Sequence, residues 1–272
     1  MFRYKGRMPY PVPEGMVFTK EEGIATLTLN RPEKLNAITS EMADMLADLA
    51  VLVDRDDEVK VLILTGTDPG FCSGADVDTI GAHWTFVCPR RYPLTKARET
   101  CWYALRNMSK PAIAAINGIA AGAGFTLALE CDIRIASENA RFGTICIRRG
   151  MPWDAGLSYY LPRIVGASKA FELYLTGEIF DAKEAERLGI VSKVVPHTEL
   201  MKAAREMATK IVNGPSIAIG LAKRLTYQGM EQDLETVAEL ETQAQRICFQ
   251  TEDLREAVTA FLEKREPVFK GK

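Results

Sequence analysis

The chain has 272 residues, 47% of them hydrophobic and 26% charged, with a formal net charge of −2. This is ordinary globular composition, long enough for one large domain or a domain with a helical appendage, and it excludes a disordered chain. The balanced charge gives no electrostatic ground for nucleic-acid binding, and no apolar run approaches the length of a membrane span.

The cysteines Cys72, Cys88, Cys101, Cys131, Cys146 and Cys248 show no CxxC pairing and are expected as reduced thiols of a cytoplasmic protein. Pro9, Pro11 and Pro13 break the segment carrying Arg3, Lys5 and Arg7, so neither a secretory nor a transit peptide is expected. The ending Lys270-Gly271-Lys272 is not a peroxisomal address.

From Gly23 to Asn30 the residues alternate, with Ala25, Leu27 and Leu29 on one face and Thr26 and Thr28 on the other, which predicts a strand ended by Arg31-Pro32. A helical pattern follows over 39–54. Val59 to Leu64 and Pro111 to Ile116 are nearly continuous apolar runs, as in strands covered on both faces, with a helical pattern over 96–108 between them. A short helix is predicted from Gly122, then a strand over 132–136 and a helix containing Leu157 to Arg163. After Pro196 the pattern is helical throughout, over 198–213, 217–228, 233–249 and 252–265. In the last of these, Leu254, Ala257, Val258, Phe261 and Leu262 share one face, with Thr251 as N-cap and Lys264 and Arg265 in the final turn.

The run 117–132, Asn-Gly-Ile-Ala-Ala-Gly-Ala-Gly-Phe-Thr-Leu-Ala-Leu-Glu-Cys-Asp, follows an apolar strand and opens a helix with small residues. There, backbone N–H groups can meet a developing negative charge. Phe71-Cys72-Ser73-Gly74-Ala75-Asp76 follows another strand and can supply a second N–H. Two donors from two loops outline an oxyanion hole and suggest acyl chemistry. The only histidines, His83 and His197, are near no candidate nucleophile in sequence, and no metal cluster stands out. Gly122-Ala-Gly124 has Leu127 where a dinucleotide loop needs a third glycine, and no GxxxxGK[ST] occurs, so no nucleotide cofactor is expected.

Leu29-Asn30-Arg31-Pro32-Glu33-Lys34-Leu35-Asn36-Ala37, Phe71 to Val77, Ala114 to Asp132 and Phe142 to Gly166, in this order and spacing, resemble the enoyl-CoA hydratase/isomerase (crotonase) superfamily. The resemblance runs from about residue 15 to the segment Ala260 to Arg265. It implies an α/β crotonase (ClpP-like) spiral of ββα units over 1–196, with a C-terminal helical trimerisation region over 197–272. A doubly wound sheet is the alternative. It further implies an acyl-CoA substrate, no cofactor besides the coenzyme A of that substrate, and a homotrimer or a homohexamer formed as a dimer of trimers.

Carried over residue by residue, the resemblance makes the amides of Ala75 and Ala123 the holders of the thioester oxygen. Two glutamates of typical hydratases are replaced by Thr126 and Cys146, neither a carboxylate. Asp154, in Met151-Pro152-Trp153-Asp154-Ala155-Gly156, matches the catalytic aspartate of dienoyl-CoA isomerases, ring-epoxyphenylacetyl-CoA isomerases and 4-chlorobenzoyl-CoA dehalogenases. The bland reading of Asp154 is an N-cap for the helix that follows. Ser73, Asp76, Val77, Gly122, Phe125 and Trp153 complete the implied lining, with Phe125 and Trp153 keeping it apolar. His83 to Pro93 is expected to shape the acyl pocket. Arg31 and Lys34 are placed near the CoA phosphates, or in a solvated loop, and Phe261 and Lys264 near a neighbouring subunit's CoA. Phe261 also fits simple helix packing. Glu130, one turn beyond Thr126, is either a displaced acid or a buried structural pair or water-linked carboxylate, while Arg148 and Arg149 read first as surface or structural residues, with pairing to acids or lining the entrance as alternatives. The activity implied is isomerisation, with hydratase, hydrolase or dehalogenase with Asp154 as nucleophile, and non-catalytic acyl-CoA-binding protein as alternatives.

Overall fold

The computed structural model describes residue 10 and residues 12–80 and 101–272. The stretch His83 to Pro93 lies outside the described residues, as do the first residues of the helix predicted over 96–108. Its remainder is seen as α3 (Cys101–Asn107).

Two sheets divide the strands. β1 (Met16–Glu21), β2 (Ile24–Leu29), β3 (Val61–Gly66), β5 (Ala112–Ile116), β7 (Ile133–Ser137) and β10 (Lys193–Val195) form the larger sheet in that order. β1 pairs antiparallel with β2 through a tight turn, and the remaining pairs are parallel. The second sheet, in the order β4 (Gly70–Cys72), β6 (Ile119–Ala121), β8 (Arg141–Gly143) and β9 (Ile179–Asp181), consists of three-residue strands. The single doubly wound sheet considered as an alternative is therefore not the architecture. The short strands escape notice in the sequence because three residues cannot display a two-residue period.

Strand alternation sorts the side chains of the larger sheet. Leu62, Leu64, Ala112, Ala114 and Ile116 turn to the main core, where α1 (Ser40–Arg55) contributes Met42, Leu46, Leu49 and Val53. Ile24, Val61, Ile63, Ile113, Ala115 and Ile135 face the other way and are covered by Leu200, Ala204 and Ala208 of α8 (Leu200–Val212). Double coverage explains the nearly continuous apolar runs of β3 and β5. The predicted helix at Gly122 is α4 (Ala123–Glu130), every residue of which is buried.

Between α4 and α8 lie α5 (Leu157–Val165), α6 (Ala167–Thr176) and α7 (Ala182–Arg187), and a four-residue helix, α2 (Val77–Ile80), follows the first candidate loop. Beyond α8 come α9 (Ser216–Gly229), α10 (Leu234–Cys248) and α11 (Glu252–Glu263). Thr251 caps α11, its hydroxyl accepting from the Leu254 N–H at 3.1 Å. The apolar face of α11 is not packed as its pattern suggested. Ala260 and Asp253 are buried instead, while Val258, Phe261 and Leu262 are 53%, 82% and 74% exposed, so Phe261 is not packed into the core of the described residues.

Candidate active site

The first donor loop is held by the chain that follows β2. Leu35 and Asn36 both take the left-handed conformation, with φ of 50° and 57°. This turn buries the Asn36 side chain, whose Nδ2 donates to the carbonyls of Thr67 at 2.7 Å and Gly70 at 2.6 Å while its Oδ1 accepts from the Arg31 N–H at 2.8 Å. The turn also presents three backbone bonds to the loop: Ser73 N–H to Leu35 O at 3.0 Å, Ile38 N–H to Gly74 O at 2.8 Å, and Asp76 N–H to Ile38 O at 3.0 Å. In this parallel bridge Ile38 bonds on either side of Ala75, which leaves the Ala75 N–H pointing away from Ile38.

The second donor loop is brought against the first by two glycines. Gly124 allows α4 to press onto β4, since a Cβ there would lie 2.1 Å from the Cys72 carbonyl oxygen. Gly74 has φ of 108°, and a Cβ on it would lie 3.0 Å from the Ala121 carbonyl oxygen and 3.6 Å from the Ala123 nitrogen. The two loops are thus in contact at the predicted donors. Ala123 is the first residue of α4, so its N–H has no intrahelical acceptor and the positive end of the helix dipole adds to it.

The acid side starts from Cys146, half-buried in the 3-10 turn Ile145–Arg149. A Cβ on Gly122 would meet its Sγ at 3.6 Å, which puts the thiol at the mouth of the second loop. Burial pushes the Cys146 thiol up, and the negative charge of Asp154 raises it further. Ala155 and Gly156 turn the chain with φ of 55° and 88° before α5 begins. Gly156 is the N-cap of α5 and no side chain caps it, so the N-cap reading of Asp154 falls away. Asp154 is exposed in the single chain, yet the protein around it removes enough water to hold its carboxyl above the usual range. Trp153 beside it stacks on Tyr174 with ring centroids 4.1 Å apart.

The enoyl-CoA hydratase/isomerase family model matches residues 19–272. A short-chain-enoyl-CoA hydratase of Clostridium acetobutylicum is 38% identical over 252 residues, covering 92% of this chain and 95% of that one. The 1,2-epoxyphenylacetyl-CoA isomerase of Escherichia coli is 38% identical over 260 residues, covering 93% and 97%. The crystal structure of an enoyl-CoA hydratase from Bacillus anthracis superposes with a TM-score of 0.86 at 32% identity, covering 95% of this chain and all of that one. The chain belongs to the enoyl-CoA hydratase/isomerase family. Its fold is the crotonase fold expected from the sequence.

Within this family member the remaining predicted site residues divide by location. Ser73 donates through Oγ to the Lys34 carbonyl at 3.1 Å, bracing the first donor loop, and Val77 is exposed beside it. Arg31 is directed inward: its guanidinium pairs with Asp76 at 2.7 Å and donates to the Ala37 carbonyl at 2.8 Å. Burial alone would raise the Asp76 carboxyl, but this guanidinium holds it below the usual range. Lys34 is exposed and pairs with Asp78 at 2.7 Å. Phe125 does not line the donor loops; its ring is fully buried against Phe142 and Phe180, because the outer side of α4 at that position faces the second sheet. Phe261 and Lys264 lie on α11 and its C-cap, at the chain surface. Arg148 and Arg149 are exposed.

Two arrangements were invisible in the sequence. Asn36 holds the donor loop from a position forty residues earlier, and the only local signal was its place in the Leu-Asn-Ala motif. His197 meets Ser137 through Nδ1 at 3.0 Å and Asp68 through Nε2 at 3.1 Å, a serine, histidine and aspartate in line. Ser137 is fully buried and also accepts from the Asn139 N–H, so this line ties β7 to the chain entering α8 and offers no accessible nucleophile.

Proposed function

We propose that the protein is an acyl-CoA isomerase that moves a proton, and with it a double bond, within a CoA thioester. The observation that supports this reading most is the contact between the two backbone-donor loops with Cys146 at the mouth of the second, where the charge of Asp154 acts on the thiol, and with a hydroxyl and a thiol where hydratases resembling this chain carry glutamates. The thioester carbonyl oxygen accepts from the Ala75 and Ala123 N–H groups. Asp154 removes a proton from the acyl chain, the electron pair moves into the carbonyl to give an enolate, and the donors stabilise the charge that develops there. The protonated Asp154 then returns the proton at another carbon, and the double bond forms in its new place. Each such donor is worth roughly 2.7 to 4 kcal/mol in the transition state. The raised carboxyl pKa suits a group that must both take and return a proton.

Coenzyme A enters as part of the substrate, and no further cofactor is required. Lys34, with Arg31 behind it, is suited to the CoA phosphates. The region 197–272 serves oligomerisation, as a trimer or a dimer of trimers, with the exposed Val258, Phe261 and Leu262 of α11 as the apolar surface to be covered and Phe261 and Lys264 directed to a neighbour's CoA. Hydration of an enoyl-CoA is the second reading, favoured by relatives named as hydratases. Turnover of an acyl-CoA panel in heavy water and in heavy-oxygen water separates these chemistries. Isomerisation places solvent deuterium in the carbon skeleton and no solvent oxygen in the product. Solvent oxygen on the acyl chain indicates hydration, and solvent oxygen in the Asp154 carboxyl indicates nucleophilic attack. Either oxygen result would remove the isomerase reading.

A further inference from the structure

Glu130 ends α4 with its side chain fully buried, and neither carboxyl oxygen has a hydrogen-bond partner among the described residues. The same is true of Thr126 Oγ1, one turn earlier and equally buried. The Leu105 backbone N–H faces the carboxyl and offsets a little of its desolvation without completing a well-formed bond. Buried polar groups are satisfied by protein or by ordered water, and two unpartnered groups side by side call for a shared partner. Positions i and i+4 of a helix carry their Cβ atoms about 5–6 Å apart, a span that one water bridges with two hydrogen bonds of about 2.8 Å. Ala123, Thr126 and Glu130 follow i, i+3 and i+7, so they form one stripe running from the oxyanion donor to the buried acid.

We propose that Thr126 and Glu130 hold one buried water between them, and that Glu130, acting through it, is a positioning residue that sets the Thr126 hydroxyl beside the reacting acyl chain. Glu130 does this as a neutral acid. Burial pushes its carboxyl far above the usual range, and no cation among the described residues compensates an ionised form. Its neighbours are Tyr160 of α5 and Cys131 beside it, both themselves pushed up, with Glu130 among the causes. Arg106 of α3, which acts on Tyr160, is paired with Glu231 at 2.6 Å. A neutral acid donates its O–H to the water, and the water donates to Thr126 Oγ1. The threonine O–H is then left to donate along the stripe toward the acyl pocket.

The role beside the acyl chain rests on the isomerase reading, whereas the water does not. A high-resolution crystal structure of the full chain should show one water within hydrogen-bond distance of both Thr126 Oγ1 and the Glu130 carboxyl; an empty or collapsed space overturns the proposal. Glu130→Leu should lower kcat about tenfold, the rate equivalent of one mis-set hydrogen bond, with KM changed less than about twofold. Glu130→Gln, a neutral donor and acceptor of the same shape, should recover most of that loss and keep the shape of the pH profile. Thr126→Val should match Glu130→Leu, and the double variant should lose no more than either. Losses that multiply, or a changed pH profile in Glu130→Gln, overturn it. Full activity of Asp154→Asn would remove the isomerase reading while leaving the water and the coupling between Thr126 and Glu130 to stand or fall on their own.

Discussion

The donor loops and the acid turn are built in opposite ways. Around Ala75 the backbone is held by three main-chain bonds, a fully buried asparagine and the Arg31–Asp76 pair, and Gly124 locks the second loop onto the first. Around Asp154 the chain is a positive-φ turn with no side-chain cap, and its carboxyl is exposed in the single chain. A backbone donor is independent of its own side chain, so it can be positioned only by its surroundings, and many residues share that task. An acid is a side chain, so one substitution can install or delete it. In the mechanism proposed above, the braced half holds the enolate and the lightly held half carries the proton.

The difference can be broken most sharply at the acid. Asp154→Asn should lower turnover by about 10²- to 10⁴-fold, as expected for loss of a general acid–base, while isothermal titration with an unreactive acyl-CoA shows nearly unchanged binding. On the donor side, Gly74→Val forces a left-handed position onto a β-branched residue beside the Ala123 nitrogen. It should cost about 10²- to 10³-fold in kcat, with circular dichroism showing a folded chain. Asn36→Ala strands the Thr67 and Gly70 carbonyls and should lower the unfolding free energy by about 1–3 kcal/mol in a denaturant titration, with activity falling alongside. Phe261→Asp should weaken subunit association about tenfold or more by sedimentation, and should leave the fold of the single chain intact.

The smallest effect concerns pH and tests whether the acid turn is a site of stored cost. Because the folded Asp154 carboxyl titrates above its unfolded value, folding binds it more tightly to a proton, and stability drains as pH rises through that window. Asp154→Asn should therefore match or exceed the parent protein in thermal stability at neutral pH, and this advantage should disappear below the ordinary carboxylate range. The parent kcat/KM should run the opposite way to its stability, falling as pH is lowered and acid protonates the base. A variant less stable than its parent at neutral pH would mean that the carboxylate is held by bonds that stabilise its charge.

Periodicity alone marked β2, β3, β5 and β7, the long helices after Pro196, and the cap at Thr251, because these are local patterns of burial and termination. The glycine-rich entry to α4 and the motif containing Ala75 likewise revealed donor chemistry, since small residues before a helix have few other uses. Tertiary structure decided what depends on chain segments far apart: the pairing of three-residue strands into a second sheet, the Asn36 anchor, the inward use of Arg31 and Phe125, and the exposed stripe on α11. It also buried Glu130 where, among the described residues, no cation compensates its charge and no well-formed hydrogen bond reaches its carboxyl. Alternation and capping are properties of neighbours along the chain, whereas a carboxyl's surroundings are set by whatever the fold packs around it.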